Sequence, residues 1–257
     1  MKLSVEHLSF SYRCADVLRE VSFSVEQGEF LSVLGPNGVG KSTLFRCILG
    51  ILPDYTGKIK VDGTNIRRLN QREMARRIAY IPQIHRPTFG FSVLDTVLMG
   101  ATRQLSPFAM PKREQVEQAR QALEQMGVAH LTERNFARLS GGEQQLVLVA
   151  RAIAQRADIL IMDEPTSALD YGNQIRVLRK VRSLADQGYT VLLSTHNPQH
   201  ALSYASRILA LAGGQVAAHG SPREVLNEAL IRQLYQVEVD FAETEAGWVI
   251  LPKQWRD

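Results

Sequence analysis

Three clusters in this 257-residue chain combine residue types and spacings that could do chemistry. The first is GPNGVGKS at residues 35–42, which matches G-x-x-x-x-G-K-S/T. Glycines there let successive backbone N–H groups curl around a phosphate with no Cβ in the way. A following helix adds its positive N-terminal end, Lys41 can reach the β- and γ-phosphates, and the Ser42 hydroxyl can ligate Mg²⁺. The second is ILIMDE at residues 159–164, an apolar run ending in two adjacent acids. Beside a phosphate loop, Asp163 at such a strand end would support Mg²⁺ through coordinated water. Glu164, aimed at the γ-phosphate, would polarise the attacking water as general base. The third is SGGE at residues 140–143. Ser140 with Glu143 reads as S-x-x-E, a plain helix cap; alternatively, two glycines after the cap leave a helix N-terminus open to an anion.

These residues need elements to hold them. FLSVL at residues 30–34 reads as a buried central strand, followed by the glycine-rich turn and a helix, KSTLFRCILG, that stops at Gly50. That strand-before, helix-after setting argues against a chance glycine turn. Upstream, residues 3–12 and the alternating VLREVSFSVEQGEF predict strands, and GKIKVDGTNI predicts a hairpin strand. IRRLNQREMARR at residues 66–77 is the densest basic run and reads as the solvated face of a short helix rather than a binding patch. From about Arg86 to Arg156 the texture is helix after helix, with Val116, Ala119, Leu123 and Met126 at helical spacing. Alternation then resumes: strand ILIMD, a helix through residues 173–188, strand TVLLSTH, and a helix from about Pro198 to Ala205. RILALAGGQVAAHG predicts two strands joined by Gly213 and Gly214. Ser221-Pro222-Arg223-Glu224 is a capping box with proline at the first helical position, so a helix follows.

With these motifs in order, the chain resembles the ATP-binding subunit of an ATP-binding cassette (ABC) transporter along essentially its whole length. GPNGVGKS resembles the Walker A loop, LSGGE the signature, ILIMDEP Walker B, and SALD, ending at Asp170, the D-loop. Tyr12 resembles the aromatic that stacks on adenine, Gln83 in YIPQ the Q-loop glutamine, and His196 in STH the switch histidine. Tyr12 could equally be a core aromatic and Gln83 a surface amide. The sequence departs from the family pattern at Glu143, Leu146 and Asn197, which puts fine tuning and trans contacts in doubt but not the reaction.

The resemblance implies an α/β fold: a P-loop NTPase (RecA-like) core with an N-terminal antiparallel β subdomain and an α-helical insertion. The expected division is residues 1–83 and 157–215 for the core, 84–156 for the helical signature subdomain, and 216–257 for a C-terminal extension. It further implies ATP and Mg²⁺ as ligands. Gly35, Pro36, Asn37, Gly38, Val39, Gly40, Lys41, Ser42 and Thr43 would hold the phosphates, with Tyr12 and Asp170 also on the nucleotide. Ser42, Gln83 and Asp163 would face the metal; Glu164, His196, Gln83 and Lys41 would carry catalysis. In the family, Ser140, Gly141 and Gly142 of one copy close over the triphosphate held by Lys41 of the other, so a homodimer is expected. Transport would require two separate permease subunits and an external substrate-binding protein, placing the chain peripherally on the cytoplasmic face of the inner membrane. SVLDTVLMG and the ending GSPREVLNEALIRQLYQVEV resemble the importer branch for iron–siderophore complexes, haem, cobalamin or molybdate-like oxyanions. The short tail leaves no room for the regulatory domain of many sugar importers.

Composition narrows the alternatives. At 45% hydrophobic and 22% charged the chain is globular, and roughly 100–200 residues per domain allows one large domain or two lobes. No stretch approaches the roughly 18–20 apolar residues of a membrane span, and MKLSVEHLSFSYR lacks a secretory apolar run, pointing to a soluble, cytosolic chain. A net charge of +4, mostly dispersed, argues against nucleic acid as a partner. Cys14 and Cys47 form no ligand set and read as reduced thiols. His196 and His200 are four apart, but Pro198 between them argues against a helical metal pair. A soluble DNA-repair or chromosome ABC ATPase would need long heptads, which are absent. A translation-factor type would need two cassettes, and a small-molecule kinase would have no use for LSGGE.

Overall fold

The computed structural model describes residues 1–13, 15–83, 90–102, 110–245 and 247–253; Cys14 and the turning point near Arg86 lie outside them. The described residues divide into two compact units, Met1–Arg68 with Ala185–Asp257, and Leu69–Leu184.

In the first unit, strands β1 (Leu3–Tyr12) and β2 (Ala15–Val25) pair antiparallel, and β4 (Thr56–Val61) adds to β1 from the other side, followed by the short β5 (Thr64–Asn65). Alternation explains this sheet: Leu3, Val5, Leu8, Val21, Phe23, Ile59 and Val61 are buried. A second sheet is built on β3 (Phe30–Leu34), buried at every position as its unbroken apolar run requires. It pairs parallel with β8 (Thr190–Thr195) on one side and with β9 (Arg207–Ala212) on the other. Strand β10 (Gln215–Gly220) returns antiparallel on β9. The connecting Gly213 and Gly214 both have positive φ, as a two-residue hairpin demands. Helix α1 (Lys41–Ile48) buries Leu44, Phe45, Cys47 and Ile48, and Gly50 follows with φ +68°. Burial pushes the Cys47 thiol up to about 12, so it is a packing residue and no nucleophile.

In the second unit, the Asn70-capped helix α2 (Gln71–Arg77) leads into β6 (Ile78–Ile81), which pairs parallel with β7 (Ile159–Met162). Helices α3 (Val93–Ala101), α4 (Arg113–Met126) and α5 (Gly141–Ala154) pack on one another. On α4, Ala119, Ala122, Leu123 and Met126 are buried, in keeping with the periodicity, while Val116 is half-buried. Helix α6 (Tyr171–Asp186) closes the unit.

One strand lies outside the sequence expectation: β6 is a strand that periodicity did not mark. The basic run is largely exposed and ends in the short helix α2, as expected, and in addition the Arg67 guanidinium lies 4.5 Å over the Tyr55 ring and donates to the Tyr55 carbonyl. At the C-terminal end, the capping box opens the expected helix, α8 (Pro222–Val225), four residues long. It is followed by α9 (Glu228–Tyr235) and by a hairpin, β11 (Val239–Thr244) and β12 (Gly247–Pro252). Helix α7 (Pro198–Tyr204) itself follows β8.

Candidate functional site

The phosphate loop sits where β3 hands over to α1. The Gly35 amide donates to the Thr195 carbonyl at 3.3 Å, tying the loop to the end of β8. Gly40 caps α1 at φ +107°, a conformation open to glycine, and a Cβ there would come within 2.9 Å of Leu18 Cδ2. No side chain caps α1, so its first amides are offered to the loop. Lys41 is buried, and its Nζ donates to the Gly35 carbonyl at 2.8 Å and the Pro36 carbonyl at 2.9 Å. Its ammonium is therefore folded back onto the first two residues of the loop. Asn37 and Gly38 are exposed at the tip, Val39 and Ser42 half-buried, and Thr43 buried.

His196 emerges beside this loop. The parallel register sets Leu34 opposite Thr195, so the residues after β3 and after β8 leave the sheet side by side. His196 is exposed, and Asn197 behind it caps α7, its Oδ1 accepting from the Gln199 amide at 2.9 Å and the His200 amide at 3.2 Å. His200 is held below the usual histidine range by burial and then by His196, and its Nδ1 has no hydrogen-bond partner among the described residues. Among the described residues no group of three or more His, Cys, Asp or Glu could hold an ion. Tyr12 ends β1, 42% exposed and edge-on to Phe10 at 4.8 Å, so it is no core aromatic.

The carboxylates are set by the same device in the second unit. Ile81 pairs with Met162, and the Asp163 amide donates to the Ile81 carbonyl at 2.9 Å. Gln83 and the acids thus leave adjacent parallel strands together, and Gln83 Nε2 donates to Glu164 Oε2 at 3.3 Å. Asp163 and Glu164 are both buried. Glu164 has φ +45°, uncommon for a residue with a Cβ, and its carbonyl accepts from the Ser167 amide and hydroxyl at 3.2 and 3.1 Å. Asp170 accepts from the Asn173 amide at 2.9 Å and from its side-chain Nδ2 at 2.6 Å. These bonds, the backbone one foremost, hold the Asp170 carboxyl below its usual range. Gln174 Nε2 donates to the Thr166 and Leu169 carbonyls at 3.3 and 2.9 Å. Neither Asn173 nor Gln174 was singled out from the sequence, although their i+3 and i+4 spacing from a capping Asp170 is the signal that would have found them.

At the signature, Ser140 caps α5. Its amide and hydroxyl both donate to Glu143 Oε2, at 2.9 and 2.8 Å, and its hydroxyl accepts from the Glu143 amide at 3.4 Å. The Ser140 hydroxyl, then its amide, hold the Glu143 carboxyl below the usual range. The glycines are not simply open to an anion. A Cβ on Gly142 would lie 2.4 Å from Asn173 Oδ1, and one on Gly141 would lie 3.2 Å from Leu169 Cδ2. The glycines let the start of α6 approach the start of α5, leaving Gly141 exposed and Gly142 covered.

Residues 18–167 match the family model described as ABC transporter, more than half of the chain. The chain belongs to the ABC transporter ATP-binding family. Relatives include an ABC transporter ATP-binding protein of Haemophilus influenzae, 40% identical over 92% of this chain and 90% of the relative. The molybdate import ATP-binding protein MolC of the same organism is 39% identical over 91% and 88%. The hemin import ATP-binding protein HmuV of Hahella chejuensis is 38% identical over 86% and 88%. Among solved structures, an inward-facing transporter described as of metal-chelate type superposes with a TM-score of 0.86 at 35% identity, covering 98% of both chains. An ATP-binding cassette in its ADP conformation gives 0.83 at 27% identity, over 91% of this chain and 98% of that one. Members of the family bind and hydrolyse ATP, and this ABC subunit is an ATPase built on the P-loop α/β fold. Among the described residues no helix is long and apolar enough to cross a membrane.

Proposed function

We propose that this chain is the ATP-hydrolysing subunit of a bacterial importer for a metal chelate or related cargo: an iron–siderophore complex, haem, cobalamin or a molybdate-like oxyanion. The observation that carries this reading is likeness over 98% of the chain to a metal-chelate type transporter, joined by likeness over most of it to MolC and HmuV. The division of labour is core 1–83 and 157–215, signature subdomain 84–156 and extension 216–257. Two copies work head to tail on two permease subunits at the cytoplasmic face of the inner membrane. A binding protein on the far side delivers cargo, and nucleic acid plays no part.

ATP lies along residues 35–43, with Tyr12 against the base and Lys41 on the β- and γ-phosphates. Mg²⁺ fits the donor set: Ser42 offers a hydroxyl and Asp163 a buried carboxylate. Gln83, having spent Nε2 on Glu164, keeps its oxygen for a cation. These are the hard oxygen donors that Mg²⁺ selects, and the ion would neutralise charge on the phosphates. Glu164 holds and polarises the attacking water, while His196 links that water to the γ-phosphate. Ser140, Gly141 and Gly142 of the opposite copy complete the phosphate's shell, and Asp170 borders it. Closure is favoured because the γ-phosphate touches both copies; once it is cleaved, that bridging charge is gone and the pair reopens.

Glu164→Gln tests this. An amide at 164 still accepts from Gln83, so the local structure survives, but it cannot act as a base. Hydrolysis should fall by about a hundredfold or more, while ATP drives the variant into a dimer visible by gel filtration. A wild-type rate refutes the assignment of the base. Reconstitution with the permeases encoded beside it, measuring ATPase activity with and without each cargo class, tests the importer assignment.

A further inference from the structure

The C-terminal hairpin lies outside the matched family residues 18–167. A two-stranded hairpin is marginal alone and must be anchored. One anchor is α9, through buried Val239 and through Lys253, whose Nζ lies 3.0 Å from Glu228 Oε2 and 3.2 Å from Asp240 Oδ1. The other is Gln199, in the first turn of α7. Gln199 Nε2 donates to the Trp248 carbonyl at 3.1 Å and to Ser203 Oγ at 3.0 Å, while Gln199 Oε1 accepts from the Ile250 amide at 2.9 Å. Trp248 and Ile250 are two apart on β12, so their backbone groups face the same edge, and the Gln199 amide docks on that edge as a neighbouring strand would. The Arg223 guanidinium stands 5.9 Å from the Trp248 ring, steadying the same strand from α8.

This anchor sits three residues from His196. Asn197 ties the intervening backbone at both ends, its amide donating to Thr195 Oγ1 at 3.0 Å and its Oδ1 accepting from the Gln199 and His200 amides. From the hairpin edge to Gln199, to the Asn197 cap and to His196, each link is a hydrogen bond or one peptide.

We propose that Gln199 is a positioning residue: by pinning the first turn of α7 to the C-terminal hairpin it fixes where His196 points. The inference rests on the role proposed above for His196. Gln199 spends its side-chain amide on Trp248, Ser203 and Ile250, so its loss should act through His196 on the chemical step and spare nucleotide binding. In the purified full-length protein, Gln199→Ala should lower kcat for ATP hydrolysis by about ten- to a hundredfold, the scale of a displaced catalytic group, with KM for ATP within about twofold. Gln199→Glu, which keeps the acceptor for the Ile250 amide and loses the donor to Trp248, should fall between. In a His196→Ala background, Gln199→Ala should cost nothing further, because the group it positions is gone. Equal losses in both backgrounds would mean a merely structural role and overturn the proposal, as would a wild-type kcat for Gln199→Ala beside a slow His196→Ala. A wild-type rate for His196→Ala would overturn the reading of His196 and this inference with it. Should Gln199→Ala fold poorly, Ile250→Pro removes the amide that Gln199 accepts while leaving α7 unaltered, and it must show the same kcat loss and the same non-additivity.

Discussion

Replacing Gly100 by alanine puts the helix packing of the second unit to a quantitative test. Gly100 is the penultimate residue of α3, and a Cβ built on it would lie 2.0 Å from the Arg151 carbonyl oxygen of α5 and 3.0 Å from its carbonyl carbon. The obstruction is backbone, which no rotamer change relieves, so α3 and α5 must separate by more than an ångström. That places the cost at the upper end of overpacking, about 3 kcal/mol. Alanine recovers about 1 kcal/mol of helix propensity over glycine. The net loss is about 2 kcal/mol, and at about 2–4 °C per kcal/mol for a chain of this size Tm should fall by about 4–8 °C. Gly172, in the first turn of α6, supplies the control: its Cβ would meet Asp170 Oδ1 at an ordinary 3.5 Å. Gly172→Ala should leave Tm unchanged or raise it by up to about 3 °C. Propensity alone gives both substitutions the same sign; the structure gives them opposite signs. Differential scanning calorimetry on both variants reads the difference, and a Gly100→Ala protein as stable as wild type would refute the contact between α3 and α5.

Gln155 is buried and its Nε2 donates to the Ala75 and Ile78 carbonyls, so Gln155→Ala should cost about 1–3 kcal/mol in urea unfolding by stranding both. Asp170→Ala removes the cap on α6 and should lower stability by the same measurement, a loss that shrinks in acid as the carboxyl protonates. His200 and His219 both titrate below the ordinary 6.5, each mainly through burial, so the unfolded chain takes up protons first as pH falls. Melting temperature should therefore be flat above about pH 7 and decline below pH 6.5, and His219→Phe should shallow that slope; a wild-type slope in the variant would discount His219.

What the sequence disclosed is what short-range physics decides. The strand before the phosphate loop, the helix after it, the Gly213–Gly214 hairpin turn and the Ser140 and Ser221 capping boxes are each set within a few residues, and each stands where spacing put it. β6 is different. Its four residues IAYI carry no alternation, and they form a strand only because β7, far along the chain, supplies a parallel partner. The meeting of Gln83 with Glu164 inherits that dependence and could not be read before the pairing was known. The same holds for Gly142, whose neighbour Asn173 arrives from another helix, and for the C-terminal hairpin, whose alternation in VDFAET and GWVILP was available but whose anchor on Gln199 was not.

Four of the groups proposed to meet the triphosphate already have partners within the chain. Lys41 is bonded to two loop carbonyls, Ser140 to Glu143, Glu164 to Gln83 and Asp170 to Asn173. For Lys41 and Glu164 burial explains this, since a buried charged or polar group left unpaired costs more than a hydrogen bond returns; Ser140 and Asp170 are exposed, and their bonds are those of helix caps. Nucleotide binding is then an exchange of partners, and each exchange yields only the difference between the old bond and the new. For Lys41 the difference is large, because neutral carbonyls give way to phosphate oxygens bearing full charge. For Ser140 it is small or unfavourable: its hydroxyl would leave one carboxylate for a phosphate while the displaced Glu143 charge stays beside it. The loop should therefore hold ATP firmly in a single subunit while the signature adds little until closure excludes water. Glu143→Gln removes the competing charge and should tighten the ATP-bound dimer at low salt without changing ATP affinity of the monomer. An unchanged dimerisation constant would show that the Ser140–Glu143 bond does not oppose closure.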